Sequence, residues 1–376
     1  MAVAVSAMAQ SPAAPAATPA AAAPAPAPAP TWSVGPMDLS GFIDGYYSYN
    51  FNTPKSGTGF GQVNDYYNFN DKTASFNLNA AKLTLNHDPD PIGAHIDLMF
   101  GNTDRLVNGD VNKNAGNGSN YLEQAYLSIK PPKAKGFELD LGKFVTSAGA
   151  EVIESKDNWN YSRSILFAYA IPYFHMGARA SMPVSKTETI GVQVANGWNA
   201  DSTGGAIVGL TSAYVKPKYT WNVNYYGGPE NANTTDGMRN LIDTTLLLTP
   251  TSKFNAYINY DYGQNRDAKS VQGNTDLMRW QGVAFAAKEQ ASATSALAAR
   301  YEYYKDYQGF MTGTAQTLQE FTATYEYKYA AGLLARAEYR YDWSDKNSFD
   351  KNGLAASTDN QSTLTVGLVA FFGPKR

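Results

Sequence analysis

The sequence predicts an all-β protein, a transmembrane antiparallel β-barrel of about sixteen strands with short periplasmic turns and long extracellular loops. Three observations support this fold class. Segments of alternating apolar and polar side chains follow one another, short and long connections alternate between them, and no apolar run approaches the ~18 residues of a membrane-spanning helix. Composition agrees, because 13% of the 376 residues are aromatic, with 26 tyrosines, and only 17% are charged.

The N-terminal segment differs in composition from the rest of the chain. Within residues 1–10, an Ala/Val-rich run ends in Ala7-Met8-Ala9, a small-x-small pattern typical of a signal-peptidase site, although the usual cationic start is missing. We interpret them as the remnant of a signal peptide. Residues 11–38 are rich in Pro and Ala and predict a disordered periplasmic linker. The transmembrane β-barrel is then expected over residues 39–376 as one domain.

Alternation of side-chain type predicts the strands. From Leu333 to Trp343, apolar and aromatic side chains occupy one face, while the other face carries charged residues such as Arg336 and Glu338. The same pattern recurs at Ile92–Phe100, Phe174–Ser181, Phe254–Tyr262 and Phe321–Tyr329. Two strands are poorly patterned, near Ala80–His87 and Leu277–Ala287, and Lys288–Arg300 would read as helical on propensity alone.

The connections between these strands alternate in length. The long ones are predicted at residues 53–73, 102–120, 146–173, 196–205, 227–238, 263–276, 304–316 and 344–361. The short ones are predicted at residues 87–91, 131–136, 183–187, 216–218, 250–252, 287–291 and 330–332. An even number of strands places both ends of the barrel on the side of the short turns, which is the periplasmic side in bacterial outer-membrane barrels.

A barrel of this size has an interior too wide for side chains to fill, so water enters and charged residues are tolerated on the inner face. The pore-wall candidates are Arg179, Arg300, Glu302, Glu326, Lys328, Arg336, Glu338, Arg340 and Asp342. The longest loop, residues 146–173, is the best candidate to fold into the lumen and constrict it. Its candidate residues are Glu151, Glu154, Asp157 and Arg163.

These charges allow two interpretations. An acidic loop opposite a basic wall would set a transverse field across the aperture and favour polar solutes. Alternatively, the charges pair with one another across neighbouring strands and only solvate the lumen.

Several function classes find no support in the sequence. The chain has no Cys, which excludes disulfides, thiolate catalysis and Cys-ligated metal. It has three His, and no nucleophile constellation, metal-ligand spacing or phosphate loop accompanies them, so we predict no catalytic residue, no metal site and no cofactor. A net charge of −3 without a basic stripe gives no reason to expect nucleic acid as a partner.

Three segments resemble a known family. They are GFIDGYYSYNFN (Gly41 to Asn52), YLEQAYLSIKPPKAKGFELDLGKFVTSAGAEVIES (Tyr121 to Ser155) and NWNYSRSILFAYAIPYFHMGARASMPVS (Asn158 to Ser185). They resemble the OmpL-like β-barrel porins, and the resemblance covers most of the chain from about Leu39 onward. Its most specific stretches are Leu141–Phe144 and Ser164–His175.

The resemblance implies a pore in the bacterial outer membrane, surrounded by outer-membrane lipids, but it does not define a solute. Barrels of this kind commonly end on an aromatic residue that the outer-membrane assembly machinery reads. Here Phe371 and Phe372 are followed by Gly373 to Arg376. A homotrimer is expected only by analogy with sixteen-stranded porins.

Three functions remain open at this point. The first is passive diffusion of small hydrophilic solutes or ions through a water-filled barrel. The second is a channel selective for sugars or anions, which is weakened because most Tyr lie on the predicted outer face. The third is a non-conducting barrel that acts as an adhesin, a receptor or a cell-wall anchor, motivated by the Pro/Ala-rich segment and the long loops.

Overall fold

The computed structural model describes residues 33–34, 36–54, 56–57, 61–108, 118–201, 205–230, 237–269, 275–330 and 332–373. The predicted signal-peptide remnant, residues 1–10, and most of the predicted linker, residues 11–38, lie outside these described residues. Sixteen antiparallel strands form a closed barrel. No helix in the described part of the chain is long and apolar enough to cross a membrane.

The barrel strands are β1 (Met37–Asn50), β2 (Ser75–His87), β3 (Ile92–Phe100), β4 (Leu122–Ile129), β5 (Glu138–Val145), β6 (Phe174–Pro183), β7 (Glu188–Ala195), β8 (Ile207–Lys216), β9 (Tyr219–Pro229), β10 (Met238–Leu248), β11 (Phe254–Lys269), β12 (Thr275–Gln290), β13 (Ser295–Asp306), β14 (Gln316–Ala330), β15 (Leu333–Ser344) and β16 (Asn360–Phe372). The connections contain helix α1 (Asn102–Asn108), helix α2 (Ile165–Tyr169) and 3-10 turns at Gly118–Tyr121 and Ser155–Asp157. Short strand pairs also occur at Ser33–Val34 with β1, Ser56–Gly57 with Gly61–Gln62, and Phe349–Lys351 with Leu354–Thr358.

The ring closes where the first barrel strand meets the last. β1 pairs with β16 in an antiparallel register that places Gly41 opposite Phe372 and Asn50 opposite Thr363. Every other barrel strand pairs with its neighbours in sequence. Hydrocarbon offers no partner for an unpaired backbone amide, so closure of this kind is what allows strands to cross a membrane. The predicted fold class is confirmed.

The two faces of the strands differ as the alternation predicts. On β16, the outward side chains of Leu364, Val366 and Leu368 are 46%, 50% and 54% exposed, and they face the lipid. The inward side chains between them, Thr363 and Thr365, are buried. Large apolar groups therefore face the membrane, while polar groups face the interior.

The connections alternate in length as predicted, with two corrections. The predicted long loop at residues 263–276 is mostly strand, because β11 continues to Lys269 and β12 begins at Thr275. The predicted turn at residues 287–291 is also wrong, since β12 runs on to Gln290 and the turn occupies residues 291–294. The alternative helical interpretation of Lys288–Arg300 fails for the same reason, because tertiary strand pairing overrides local helix propensity there.

The loop at residues 146–173, which we call the inward loop, folds into the barrel. Its α2 is capped by Ser164, whose Oγ accepts a hydrogen bond from the backbone N–H of Phe167 at 2.9 Å. Its apolar side chains are buried, Ile165 and Leu166 completely so. A surface loop would expose this apolar surface to water, so its burial inside the barrel stabilises the inward position.

Candidate constriction of the lumen

The inward loop reaches the wall opposite the strands from which it emerges. It leaves β5 and returns to β6, yet the carbonyl of Ser147 accepts a hydrogen bond from Asn224 on β9 at 3.0 Å. Further along, the carbonyl of Ala170 accepts one from the indole N–H of Trp280 on β12 at 3.0 Å. The loop therefore spans the lumen.

Two carboxylates of the wall bind the backbone of the loop. Glu338 on β15 accepts hydrogen bonds from two successive N–H groups, those of Tyr161 and the next residue, at 2.5 and 2.9 Å. Glu302 on β13 accepts from the N–H groups of Ile165 and the next residue at 3.0 and 2.9 Å. Buried N–H groups of a non-repetitive segment need acceptors, and these inward-facing glutamates supply them.

Arginines of the same wall bind the carbonyl groups of the loop. Arg336 on β15 donates to four carbonyls within residues 155–160. Arg340 donates to the carbonyl of Arg163 at 2.7 Å, and Arg300 on β13 donates to that of Ser162 at 2.9 Å. Acidic wall residues therefore bind N–H groups and basic wall residues bind carbonyl groups of the same loop segment, which holds the loop in one conformation.

A buried ionic network joins the loop to β13, β14 and β15. We call it the arginine network, and its members are Glu151, Arg300, Glu302, Glu320, Arg340 and Asp342. Arg300 lies at its centre, with its guanidinium 2.6 Å from Glu151 of the loop, 3.0 Å from Glu302 and 2.7 Å from Glu320. Of the four loop candidates, Glu151 is thus the one that binds the predicted basic wall.

A second ionic cluster lies against β2, β3 and β4. Lys82 on β2 places its ammonium 2.8 Å from Asp97 on β3 and 2.8 Å from Glu123 on β4, and it also binds Glu154 of the inward loop. We call these four residues the lysine cluster. Its three carboxylates are close enough together to ligate a metal ion, but the Lys82 ammonium lies among them and acts as their counter-ion.

The other two loop candidates have different environments. Arg163 is buried and donates to carbonyls of its own loop, those of Ile153 and of Tyr161, the latter at 2.8 Å. Asp157 pairs with its neighbour Lys156 at 2.6 Å, and its side chain is 32% exposed. Arg163 therefore stabilises the conformation of its own loop, while the carboxylate of Asp157 is partly exposed to solvent.

The predicted wall residues do not all meet the loop. Arg300, Glu302, Arg336, Glu338 and Arg340 do so, and Glu326 and Asp342 support them through Arg336 and Arg340. Arg179 on β6 instead pairs with Asp140 on β5 at 2.8 Å. Lys328 is exposed near the end of β14.

Arg179 belongs to a part of the inner wall that the loop leaves open. A polar recess lies there, lined by Tyr126, Glu138, Asp140, Arg179, Gln193 and Thr211, with Ser147 of the loop beside it. These residues come from β4 to β8. We call this surface the open wall.

Glu154 and Asp65 are loop carboxyls with shifted pKa values. Burial alone would raise the pKa of Glu154, but the ammonium of Lys82 beside it holds that pKa below its usual range. In the first extracellular loop, burial raises the pKa of Asp65 to about 6, even though the carboxylate accepts a hydrogen bond from the N–H of Asp350 at 2.7 Å.

Sequence reasoning missed the lysine cluster and the close packing of the loop on glycines. The sequence pattern does not place Lys82 on the inner face, because the alternation of apolar and polar residues in β2 is weak. The pairing of β2 with β1 also contains a register shift after Asp44. Gly367 faces the lumen, and a side chain there would collide with the ring of Tyr161. Glycine at an inward position of a strand was an available signal, since it often marks a close approach of another segment.

Comparison with solved structures finds the same architecture. The barrel is similar to the anion-selective porin from Comamonas acidovorans (TM-score 0.60, 12% identity, 89% of this chain and 99% of that one). It is also similar to the outer-membrane channel DcaP of Acinetobacter baumannii (0.60, 12%, 89% and 97%) and to OmpF of Salmonella typhi (0.58, 15%, 89% and 97%). At these identities the likeness establishes the fold.

The family follows from the sequence itself. No curated protein sequence matches the chain. One family model does, over residues 36–372, which is nearly the whole barrel, and its description is "Putative beta-barrel porin-2, OmpL-like". The chain is therefore located in the bacterial outer membrane. It is a member of the OmpL-like β-barrel porin family, as its resembling segments predict.

Proposed function

We propose that this protein is a passive porin, through which small hydrophilic solutes and ions diffuse. In this proposal the inward loop is the constriction, with Glu151, Glu154, Asp157 and Arg163 as its charged residues. One observation carries the proposal, namely that residues 146–173 fold into the barrel and are fixed there by hydrogen bonds with wall side chains on several strands. A loop held in this way narrows the lumen without moving.

The rest of the wall supports a passage beside the loop. The open wall carries charged, amide and hydroxyl side chains, and its ion pairs are local, between residues of adjacent strands. Solutes would pass between this surface and the loop. The chain acts here through aperture and field, and we propose no enzymatic role.

Planar-bilayer recording of the refolded full chain tests the proposal. We expect stable, ohmic conductance steps after insertion. Replacing residues 155–164 by a short Gly/Ser linker should raise the conductance severalfold, because it removes the part of the loop that Glu338 and Arg336 hold. A folded, heat-modifiable preparation that never conducts would contradict the pore and favour the adhesin, receptor or anchor hypothesis.

The same preparation separates a passive from a selective channel. Liposome swelling rates should fall smoothly with solute size across sugars and amino acids of equal charge. Saturation by one sugar or one anion would instead indicate a binding step. Exposed tyrosines such as Tyr225, Tyr325 and Tyr339 point outward. Their position argues against a row of aromatic rings inside the lumen on which sugars could stack.

We also propose a homotrimer that the outer-membrane assembly machinery inserts. One solved structure similar to this chain, OmpT of Vibrio cholerae, is described in a trimer form (TM-score 0.55, 13% identity). Chemical cross-linking in native membranes should then give a three-chain species. A single-chain band under cross-linking conditions that capture a known trimer would contradict it.

A further inference from the structure

Among the described residues around the inward loop, buried carboxylates outnumber buried cationic groups. The lysine cluster holds three carboxylates, those of Asp97, Glu123 and Glu154, around the single ammonium of Lys82. All four side chains are largely removed from solvent, with the carboxylate of Glu123 fully buried. This cluster therefore carries more negative than positive charge.

The arginine network repeats the imbalance on the other side of the loop. Two guanidinium groups, Arg300 and Arg340, face four carboxylates. The members from the wall strands are completely buried, and Glu151 of the loop is nearly so. Again the carboxylates outnumber the cations.

A third acidic group lies on β10 and β11 and has no cation. Asp243 and Asp261 occupy directly opposite positions of the two paired strands, and both are fully buried. Asp243 accepts hydrogen bonds from the amides of Asn224 at 2.7 Å and Asn259 at 2.8 Å. We call Asp243 and Asp261 the aspartate pair.

Neither carboxylate oxygen of Asp261 accepts a hydrogen bond from a described residue. The ion pairs formed within the described part of the chain include neither aspartate. A buried carboxylate without a donor is costly unless it binds a proton or a cation. The pair adjoins the start of the inward loop, because Asn224 and Asn259 also bind Ser147 and Ala150.

The remaining interior ion pairs do not offset these three groups. Glu326 pairs with both Lys288 and Arg336, so these two cations equal the two carboxylates Glu326 and Glu338 in number, and Arg179 pairs with Asp140. Around the loop, Arg163 forms no ion pair within the described residues, but the carboxylate of Asp44 lies nearby as its counterpart. Even if the lysine cluster, the arginine network and the aspartate pair each hold one proton, negative charges still outnumber positive charges around the loop.

From this excess we infer that the pore is selective for cations, with the aspartate pair, the lysine cluster and the arginine network as its determinants. The inference rests on the proposed function. Low-dielectric walls focus the field of these buried charges into the aperture, where mobile cations are the available counter-ions. A potential of about −1 kT there would enrich K⁺ over Cl⁻ by a factor of about 7.

The reversal potential under a tenfold KCl gradient measures this preference. We expect a K⁺/Cl⁻ permeability ratio clearly above 1 for the wild-type chain. The double variant Asp243→Asn/Asp261→Asn keeps the shape of the aspartate pair but removes its charge, and it should lower the ratio by about twofold or more. Glu289→Gln is the matched control, because Glu289 is an exposed carboxylate near the end of β12, opposite Phe254 on the outer side.

The outcomes separate the two proposals. Absence of any conductance would overturn the proposed porin itself. Conductance with a ratio at or below 1, or a ratio that the double variant leaves unchanged, would overturn the cation preference while the porin stands. If the double variant does not fold, the single change Glu123→Gln in the lysine cluster gives the same test, with a lowered ratio expected. A drop of equal size in the Glu289→Gln control would also overturn the assignment.

Discussion

The inner wall of this barrel has two halves that use the same residue types differently. On β13 and β15, charged side chains bind the peptide groups of the inward loop and are completely buried, as Arg300 and Glu338 illustrate. On the open wall, charged side chains pair with their strand neighbours and remain partly exposed, as Arg179 and Glu138 do. Inward-facing polar residues therefore hold the loop in one half and form partly exposed ion pairs in the other.

The largest expected effect is a difference in the free energy of unfolding between two variants, each of which replaces an arginine in one half of the wall. Arg300→Ala would leave three buried carboxylates without their main counter-ion, which should destabilise the barrel by about 3–5 kcal/mol. Arg179→Ala removes a partly exposed pair and should cost about 1 kcal/mol or less. Urea unfolding of both variants in one detergent measures the difference. Equal losses would show that the two halves are not distinct.

The next effect concerns the hydrogen bonds that hold the loop. Glu338→Ala would leave two loop N–H groups unpaired and should cost about 2–3 kcal/mol. The released loop should also make the single-channel current noisier. Glu138→Ala on the open wall is the control, since it removes only the pair with Lys130. A quiet current in Glu338→Ala would show that the loop needs no such anchor.

A smaller effect is expected from steric change at the loop. Gly367→Ala inserts a methyl group against the ring of Tyr161, and it should destabilise by about 1–3 kcal/mol. In the double variant Gly367→Ala/Tyr161→Ala the methyl group has no ring to meet. The two losses should therefore not add in a double-mutant cycle. If the two losses in unfolding free energy add, the cost of Gly367→Ala does not come from a clash with the ring of Tyr161.

These contacts indicate how far the sequence can predict such a barrel. The alternation in β15 predicts which face Arg336, Glu338 and Arg340 occupy, because period two leaves only two choices. It does not predict which of them meet the loop, since that depends on the path of a non-repetitive segment. Arg163 illustrates this, because its guanidinium turns to its own loop and not to the aperture.

Two further features depend on three-dimensional pairing. Lys82 meets Asp97, Glu123 and Glu154 only through strand register and loop folding. The two corrected connections have a similar origin, because β11 and β12 continue to pair beyond the point where their sequence alternation weakens. Local patterns carry no information about such cooperative extension of a hairpin.

The smallest expected effect is a pH-dependent stability of a contact between two extracellular loops, which belong to neither half of the wall. Asp65 joins the first extracellular loop to the last through the N–H of Asp350, and burial raises its pKa to about 6. A raised folded-state pKa means that protonation favours the folded form, so this contribution is present at low pH and is lost as pH rises through 6. Asp65→Asn should therefore stabilise the loop contact at pH 8 by about 1 kcal/mol and do nothing at pH 4.

Hydrogen exchange of the two loops at both pH values checks this. Protection should increase in Asp65→Asn at pH 8 only, while the conductance stays the same. An equal change at pH 4 would show that charge at Asp65 is not the cause.

The seam between β1 and β16 has a consequence for biogenesis. Because Gly41 pairs opposite Phe372, the strand made first finds its second neighbour only after nearly the whole chain has been synthesised. Until then both flanking strands present unpaired edges, which invite aggregation in an aqueous compartment. We therefore expect the chain to remain unfolded until it can close, and a product truncated before β16 would be an open sheet.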